Sequence, residues 1–176
     1  RRILKMYQDF VRVPNDRIAI LVGVKGTIKK KIEKETNTNI IIDSKEGEVL
    51  ISSDDMYHIQ RAKSVIKAIA RGFNPEISIQ LLDDEYYLEI INIKDYSGKS
   101  KAKLLRLKAR CIGTQGKAKN TIEELAHVSI SIYGKTICII GQMEHTTLAR
   151  QALTMLLEGA MHRTVYCFLE KKKKEM

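Results

Sequence analysis

The sequence predicts an α+β protein with two tandem copies of one β-α-α-β-β-α unit, each a three-stranded antiparallel sheet packed by three helices. Three observations support this: strand-like alternation, helical spacing of apolar residues, and a repeat whose paired positions differ by 90 in residue number. The repeat is anchored by Gly23-Val24-Lys25-Gly26 and Gly113-Thr114-Gln115-Gly116. The other pairs are Ile32-Glu33 with Ile122-Glu123, Ile40 with Ile130, Ile42 with Ile132, Val49 with Ile139, Ala62 with Ala152, and Ile66 with Leu156.

The elements of the first copy follow from local patterns. Residues 7–13 alternate like a strand, and Pro14 ends it. Asn15 or Asp16 can cap a helix that runs to Val22, and Ser53 or Asp54 can cap the last helix. The remaining predicted elements are a helix over 27–36, strands over 39–43 and 49–52, and a last helix whose apolar stripe is Ile59, Ala62, Ile66 and Ile69.

The second copy repeats this order with a longer first helix. Its predicted elements are a strand over 86–93, helices over 98–112 and 116–127, strands over 128–133 and 136–140, and a helix over 144–161. Residues 76–82 fit either a short connecting helix or an extra strand, and the lysines at 171–174 are expected to fray. The predicted division is 1–72 for the first domain, 73–84 for a connecting segment, 85–170 for the second domain and 171–176 for a basic tail.

A Gly-x-x-Gly segment between two helices is typical of a phosphate-binding loop. Glycine tolerates positive φ and leaves room for a phosphate, and the next helix directs its N–H groups and positive dipole end there. KH domains use such a loop to clamp about four backbone nucleotides of single-stranded RNA. One such segment is an ordinary turn, but two in the same context predict two type I KH domains. The apolar groove for the bases is expected to be lined by Ile18, Ile28 and Ile32 in the first copy, and by Ile112, Ala118 and Ile122 in the second.

The charge pattern favours a polyanionic partner and ranks the two copies. The formal net charge is +10, and no acidic residue interrupts the stretch from Tyr96 to Ile122. Its basic residues are Lys99, Lys101, Lys103, Arg106, Lys108, Arg110, Lys117 and Lys119. In the first copy, Lys25, Lys29, Lys30 and Lys31 are diluted by Glu33 and Glu35. We therefore predict that the second domain is the main RNA clamp and the first is auxiliary.

Several other classes of protein are disfavoured. Cys111, Cys138 and Cys167 are widely spaced without a CxxC pair, which predicts reduced, buried thiols and an intracellular location. The sequence has no recognisable signal peptide and no apolar run of the roughly 18 residues that a membrane span needs, so neither secretion nor a membrane span is predicted. Residues before Arg1 are expected to be missing. The histidines at 58, 127, 145 and 162 lack metal-ligand or catalytic partners at suitable spacing. We expect no enzyme activity, no cofactor and no metal.

The chain also resembles a known family. The runs Arg110-Cys-Ile-Gly-Thr-Gln-Gly116, Thr121-Ile-Glu-Glu124, Ser131-Ile-Tyr-Gly-Lys-Thr136 and Leu81-Leu-Asp-Asp84 are similar to the Partner of Nob One family. The intact loop of the first copy resembles the archaeal members. The resemblance implies small-ribosomal-subunit biogenesis, binding near the 3′ end of small-subunit rRNA, assistance to the Nob endonuclease and association with the initiation factor two alpha subunit. It further implies a cytoplasmic location, or a nucleolar and cytoplasmic one in a eukaryote.

One departure from the family bears on the site. Members usually carry basic residues inside the second loop, where this chain has Thr114-Gln115, so Lys117, Lys119 and Arg110 are expected to contact phosphate instead. Two alternatives stay open at this point. One is a tandem KH subunit of another RNA-processing pathway, either exosome-type or transcription-associated, and the other is a KH scaffold that binds proteins through its sheets.

Overall fold

The computed structural model describes residues 5–176 and divides into two compact units, the first ending at Asp84 and the second beginning at Glu85. Residues 1–4 of the predicted first domain lie outside the described residues. The first unit contains β1 (Tyr7–Arg12), α1 (Asn15–Val22), α2 (Thr27–Thr36), β2 (Asn39–Asp43), β3 (Glu48–Ser53), α3 (Met56–Ala70), α4 (Pro75–Ser78) and a 3-10 helix (Ile79–Leu82). The second contains β4 (Tyr86–Asn92), α5 (Lys94–Ser97), α6 (Lys101–Ile112), α7 (Lys117–Ala126), β5 (Ser129–Tyr133), β6 (Thr136–Gln142), α8 (Met143–Leu157) and α9 (His162–Glu175).

Each unit has a three-stranded antiparallel sheet, in the order β1-β3-β2 and β4-β6-β5. Val49 pairs with Val11 on one side and Ile42 on the other, and Ile137 is placed in the same way between Ile91 and Ile132. The predicted fold class is therefore confirmed.

The core of each unit lies between one face of the sheet and the helices. Ile51 and Ile66 are fully buried in the first unit, and Ile139 and Leu153 are fully buried in the second. These residues are aliphatic and alternate along the strands or recur every third or fourth residue along the helices, so one face of each element is removed from water. This packing places α1 and α2 against α3, and α6 and α7 against α8, with α2 and α7 next to the edge strands β2 and β5.

A corresponding ion pair joins the first strand to the long packing helix in each unit. Lys63 Nζ of α3 lies 2.6 Å from Asp9 Oδ2 of β1. Arg150 of α8 pairs in the same way with Glu89 of β4. The hydrogen bond from Lys63 lowers the pKa of Asp9 below its ordinary value. Both units thus have an ion pair at this position, although the acidic and the basic residue each differ between the units.

The repeat spacing of 90 predicted from the sequence holds from the loop to the edge strand and is wrong after that strand. The hairpin of the second unit is shorter, so Val49 corresponds to Ile137 rather than Ile139. In the packing helices the spacing falls to 87, where Ala62 corresponds to Ala149 and Ile66 to Leu153, all fully buried. Turns can gain or lose residues freely, whereas strand register and the buried helix face cannot shift.

Several element limits also differ from the predictions. The first helix predicted over 98–112 is α6, which begins only at Lys101. The short helix α5 precedes it, and Gly98 at φ 60° lies between the two. The side chain that caps α3 is Asp55, whose carboxylate accepts from the Tyr57 N–H, because the strand before it runs through Ser53. Residues 76–82 are helical, and α8 ends at Leu157 rather than at 161.

The C-terminal helix α9 is a correction to the predicted basic tail. The lysines at 171–174, expected to fray, form its last turns. Val165 and Leu169, four residues apart, are fully buried and hold the helix onto the unit, while Lys172 pairs with Glu175 at 2.8 Å. Lys and Glu are strong helix formers, so the helix continues past its last buried residue.

The residues predicted to connect the domains belong to the first unit. Gly72 and Gly159 both have φ 102° and end the corresponding helices α3 and α8, so α4 occupies the place of α9. Phe73 is buried, and Arg61 donates to the Leu82 carbonyl at 3.1 Å. The exact domain limits of 72 and 170 stay predictions.

Candidate nucleic-acid interface

The two Gly-x-x-Gly loops have nearly the same backbone. The first glycines, Gly23 and Gly113, have φ/ψ of 74°/175° and 75°/173°. Lys25 and Gln115 both have φ 53°, in the left-handed region. In each loop the N–H of the second glycine donates to the carbonyl of the first at 3.2 Å. The sequence repeat therefore corresponds to a repeated three-dimensional loop.

The two glycines of each loop are required for different reasons. A Cβ on Gly113 would lie 2.6 Å from Ala118 N, and one on Gly23 would lie 2.9 Å from Ile28 N. Their φ/ψ combination is also one that only glycine adopts readily. The second glycines, Gly26 and Gly116, need only a left-handed conformation, since a Cβ there would have at least 3.7 Å of room. The first glycine lets the loop lie against the next helix, and the second turns the chain into it.

The loops present their central residues and a helix start to solvent. Val24, Lys25, Thr114 and Gln115 are exposed. No side chain caps the start of α2 or α7. The N–H of Thr27 donates to the Val24 carbonyl, and the N–H of Lys117 donates to the Thr114 carbonyl. Such a helix start attracts phosphate oxygens. Each unit thus has one such loop, formed by Gly23, Val24, Lys25 and Gly26 in the first and by Gly113, Thr114, Gln115 and Gly116 in the second.

A glutamate joins the second helix to the edge strand in each unit. Glu33 Oε1 accepts from Ile40 N, and Glu123 Oε1 accepts from Ile130 N, both at 2.8 Å. Lys29 and Lys119 lie 3.8 and 3.7 Å from these same carboxylates. The groove between helix and edge strand therefore contains an ion pair. Sequence reasoning missed this role, although both glutamates were part of the repeat and stood seven residues before the strand residue they contact.

Four of the predicted groove residues belong to the core instead. Ile18, Ile32, Ala118 and Ile122 are buried, because they lie on the helix faces that pack onto the sheet and the packing helices. Ile122 is therefore corrected from an RNA-binding residue to a core residue. Ile28 and Ile112 remain partly exposed beside the loops. The groove is consequently less apolar than the sequence suggested.

The side chain of Arg110 donates to carbonyls of its own unit. Its Nε donates to the Leu156 carbonyl at 3.2 Å, and its terminal nitrogen donates to the Ala160 carbonyl. In the first unit, Arg17 donates in the same way to Ile69 and Phe73, at 2.8 and 2.7 Å. Each arginine satisfies carbonyls at the C-terminal end of the packing helix, which would otherwise lack donors. The Arg110 guanidinium is therefore bonded within its own domain, and its contact with phosphate stays a prediction.

The predicted basic stretch is divided between the two ends of α6. Lys99, Lys101 and Lys103 lie at its start, about 14 Å or more along the helix axis from the loop. Lys94 lies close enough to Lys135 there to lower the pKa of Lys135 through hydrogen bonding and like-charge repulsion. Near the loop itself are Arg106, Lys108, Lys117 and Lys119. In the first unit, Lys29, Lys30 and Lys31 follow the loop, but α1 carries only Arg17.

The remaining candidate chemistry is sparse. Cys111 and Cys138 are buried as predicted, but Cys167 is exposed, and burial raises the pKa of the Cys111 thiol to about 12. Within the part of the chain that the structure describes, no three His, Cys, Asp or Glu side chains gather closely enough to hold a metal ion. Among residues 5–176, no helix combines the length and apolarity that a membrane crossing requires.

Comparison with known proteins identifies the fold and the family. Residues 8–68 match the profile of the KH domain, and residues 87–174 match a eukaryotic-type KH domain of type I, specifically the second KH domain of the Partner of Nob One family. A KH domain-containing protein of Methanocaldococcus jannaschii is 39% identical over 172 residues, which cover 96% of this chain and 75% of that protein. The chain belongs to the Partner of Nob One family.

Solved structures of family members agree. Dim2p from Pyrococcus horikoshii OT3 is 42% identical, with a TM-score of 0.86 over 94% of this chain and 99% of that chain. A chain in the a/eIF2alpha-aDim2p-rRNA complex from the same organism is also 42% identical, with a TM-score of 0.90 over 97% of this chain and 96% of that chain. As a tandem KH member of this family, the protein is an RNA-binding ribosome-biogenesis factor.

Proposed function

We propose that this protein binds single-stranded RNA near the 3′ end of small-subunit rRNA and assists the maturation of that end. The main support for binding of single-stranded RNA is the pair of exposed loops, each followed by a helix whose start has no side-chain cap. The sugar-phosphate chain crosses the loop, and the bases enter the groove between the second helix and the edge strand.

The second unit is the main clamp in this proposal. Fewer cations support this ranking than the sequence predicts. Arg110 donates to carbonyls of its own unit, and the lysines at 99–103 lie far from the loop. What remains is the first helix: α6 presents Arg106 and Lys108 within its last two turns, whereas the one basic residue of α1 is bound to carbonyls. Phosphates that approach the second loop therefore meet cations from both helices.

Paired loop variants test the clamp and its ranking. Thr114→Asp with Gln115→Asp adds two carboxylates at exposed positions without adding a Cβ to either glycine. Val24→Asp with Lys25→Gln is the matched change in the first unit, because it also lowers the charge of the loop by two. Fluorescence anisotropy on a short single-stranded RNA should show a loss of about tenfold or more for the second-unit pair and a smaller loss for the first-unit pair.

Thr114→Ser with Gln115→Asn is the uncharged control, and thermal unfolding shows whether each variant remains folded. Equal losses from the two charged pairs would contradict the ranking. If both charged variants are folded and bind RNA with unchanged affinity, the proposal that the loops bind RNA is wrong. Duplex RNA should bind more weakly than the single strand, since bases must reach the groove.

The proposed partners are the small-subunit rRNA 3′ region, the Nob endonuclease and the initiation factor two alpha subunit, in the cytoplasm. Support for the RNA and the initiation factor comes from the relative whose structure contains a/eIF2alpha and rRNA. The first unit also has an exposed apolar patch that a protein partner could cover. Phe10, Leu50 and Ile41 lie opposite one another across its sheet, and the exposed fraction is 58% for Phe10 and 56% for Ile41.

Pull-down experiments with purified partners test these assignments. The alpha subunit should be retained by the native chain and lost from Phe10→Ser with Ile41→Ser, while RNA affinity is kept. The endonuclease should cleave its pre-rRNA more efficiently when the chain is present. The chain alone should release no nucleotide from RNA, because we propose that it acts without a reaction of its own.

A further inference from the structure

A cleft lies on the side of the second loop that faces away from the edge strand. It has a volume of about 450 Å³ and is bounded by the end of α6, the loop and start of α7, and the start of α9. The residues that carry the argument are Arg106, Thr114, Lys117, His162 and Tyr166. Lys119 and Glu123, which face the groove for bases, do not line it.

The cleft has the electrostatics of an anion site. Arg106 and Lys117 are exposed at its rim, and Thr114 adds a hydroxyl. Beneath them, the guanidinium of Arg110 is fixed by the carbonyls of Leu156 and Ala160 and keeps its positive charge. None of the described residues that line the cleft carries a carboxylate. A phosphate group would therefore meet several cations and no opposing charge.

The opposite wall is aromatic and held in place. His162 Nε2 donates to the Arg110 carbonyl at 2.8 Å, which fixes the imidazole. The Tyr166 ring packs beside it, with centroids 6.2 Å apart. Tyr166 stays half-exposed, and Ala109 and Ala118 complete an apolar floor. An aromatic face next to cations is the combination that holds a nucleobase together with its phosphate.

The first unit has no equivalent aromatic wall at these positions. The residues that correspond to His162 and Tyr166, 87 places earlier, are Pro75 and Ile79. Its α4 is four residues long, whereas α9 has fourteen. The cleft is thus a property of the second unit, produced by a longer helix that carries two aromatic rings to the loop.

We propose that this cleft binds one further nucleotide of the RNA strand that the second loop clamps. Its base stacks on Tyr166, and its phosphate pairs with Arg106 and Lys117. This inference rests on the proposed RNA function, and it makes the footprint of the second unit longer than that of the first.

Oligonucleotide length tests the cleft. Anisotropy compares a degenerate RNA of roughly four nucleotides, the length a KH loop clamps, with the same RNA extended by two nucleotides at its 5′ or its 3′ end. One of the two extensions should tighten binding to the native protein by about tenfold, the gain expected from a stacked base and a paired phosphate.

Tyr166→Leu should abolish most of that gain and leave the affinity for the short RNA within about twofold, because Tyr166 lies outside the base groove. Phe168→Leu is the matched control on α9, since Phe168 does not line the cleft. Tyr166→Phe should keep most of the gain, because the stacking face remains. Thermal unfolding verifies that α9 stays docked in each variant.

The outcomes separate the two proposals. Short RNA that binds without any gain from either extension overturns the cleft and leaves the clamp intact. A gain that persists in the Tyr166→Leu protein also overturns the cleft. Absence of binding to all three RNAs overturns the clamp and the cleft together.

Discussion

The two KH units share a loop backbone within a few degrees and differ in the helices around it. α1 has eight residues and α6 has twelve, while the C-terminal helices have four and fourteen. Both units therefore share the backbone conformation of the loop, and the flanking helices determine which side chains surround it. A difference in RNA binding between the units should accordingly be traced to those helices rather than to the glycines.

The units also reach the same internal contacts with different residues. Asp9 with Lys63 corresponds to Glu89 with Arg150, and Arg17 corresponds in role to Arg110 although the two stand on different turns of their helices. Packing requires a charge or a donor at a given point in space, and several residues can supply it. The following experiments test how far this equivalence extends.

The largest effect is expected at the first glycine of each loop. Gly113→Ala should lower the free energy of unfolding by about 3–5 kcal/mol, because it combines a glycine-only backbone conformation with a clash against Ala118. Gly23→Ala should be comparably harmful. Gly116→Ala, which has room for its Cβ, should lose only about 1–2 kcal/mol. Urea unfolding measures all three, and equal losses at Gly113 and Gly116 would refute the two roles.

The arginines that bind helix-end carbonyls should come next. Arg110→Met should lower the free energy of unfolding by about 2–4 kcal/mol, because two carbonyls lose charged donors. Arg17→Met should give a similar loss in the first unit. Arg106→Met, four residues before Arg110 and at an exposed position, serves as the control and should change stability little. A stable Arg110→Met protein with weakened RNA binding would restore the phosphate role predicted from the sequence.

A smaller effect is expected from the groove glutamates. Glu123→Gln keeps an oxygen for the Ile130 N–H but removes the charge that pairs with Lys119. Lys119 then becomes available to phosphate, so the slope of log affinity against log salt should steepen by about one. Glu33→Gln should do the same in the first unit only if that unit contacts RNA. Glu123→Ala should instead lose about 1–2 kcal/mol of stability through an unsatisfied N–H.

The smallest effect concerns acid. Because the folded-state pKa of Asp9 is lowered by Lys63, the ion pair contributes stability above the unfolded-state pKa and loses it as pH falls through the folded-state value. Asp9→Asn should therefore reduce the acid sensitivity of unfolding below about pH 4, by no more than about 1 kcal/mol, since the pair is partly exposed. Chemical unfolding at pH 7 and pH 3 measures the difference. An unchanged pH dependence in Asp9→Asn would show that Asp9 does not contribute to acid-induced unfolding.

Much of the fold could be predicted from local chemistry. Pro14, the glycine pairs and the apolar stripe of α3 act through their own backbone or through neighbours on the same element, so the sequence alone specifies the element order and both loops. The predicted RNA-binding residues Lys117, Lys119, Lys29 and Lys30 likewise lie beside the loops, because helix geometry fixes their positions. Their contact with RNA remains a proposal.

The partners of Arg110, the acceptor role of Glu123 and the cleft beside α9 were decided only by the tertiary structure. Each depends on groups that are distant in sequence, such as Arg110 and Leu156, and on turn lengths that shift the repeat from 90 to 87. A run of basic residues gives the sign of the charge but not which carbonyl or carboxylate lies next to each side chain. Helix and strand patterns are periodic and local, whereas the pairing of charges depends on how the elements pack together.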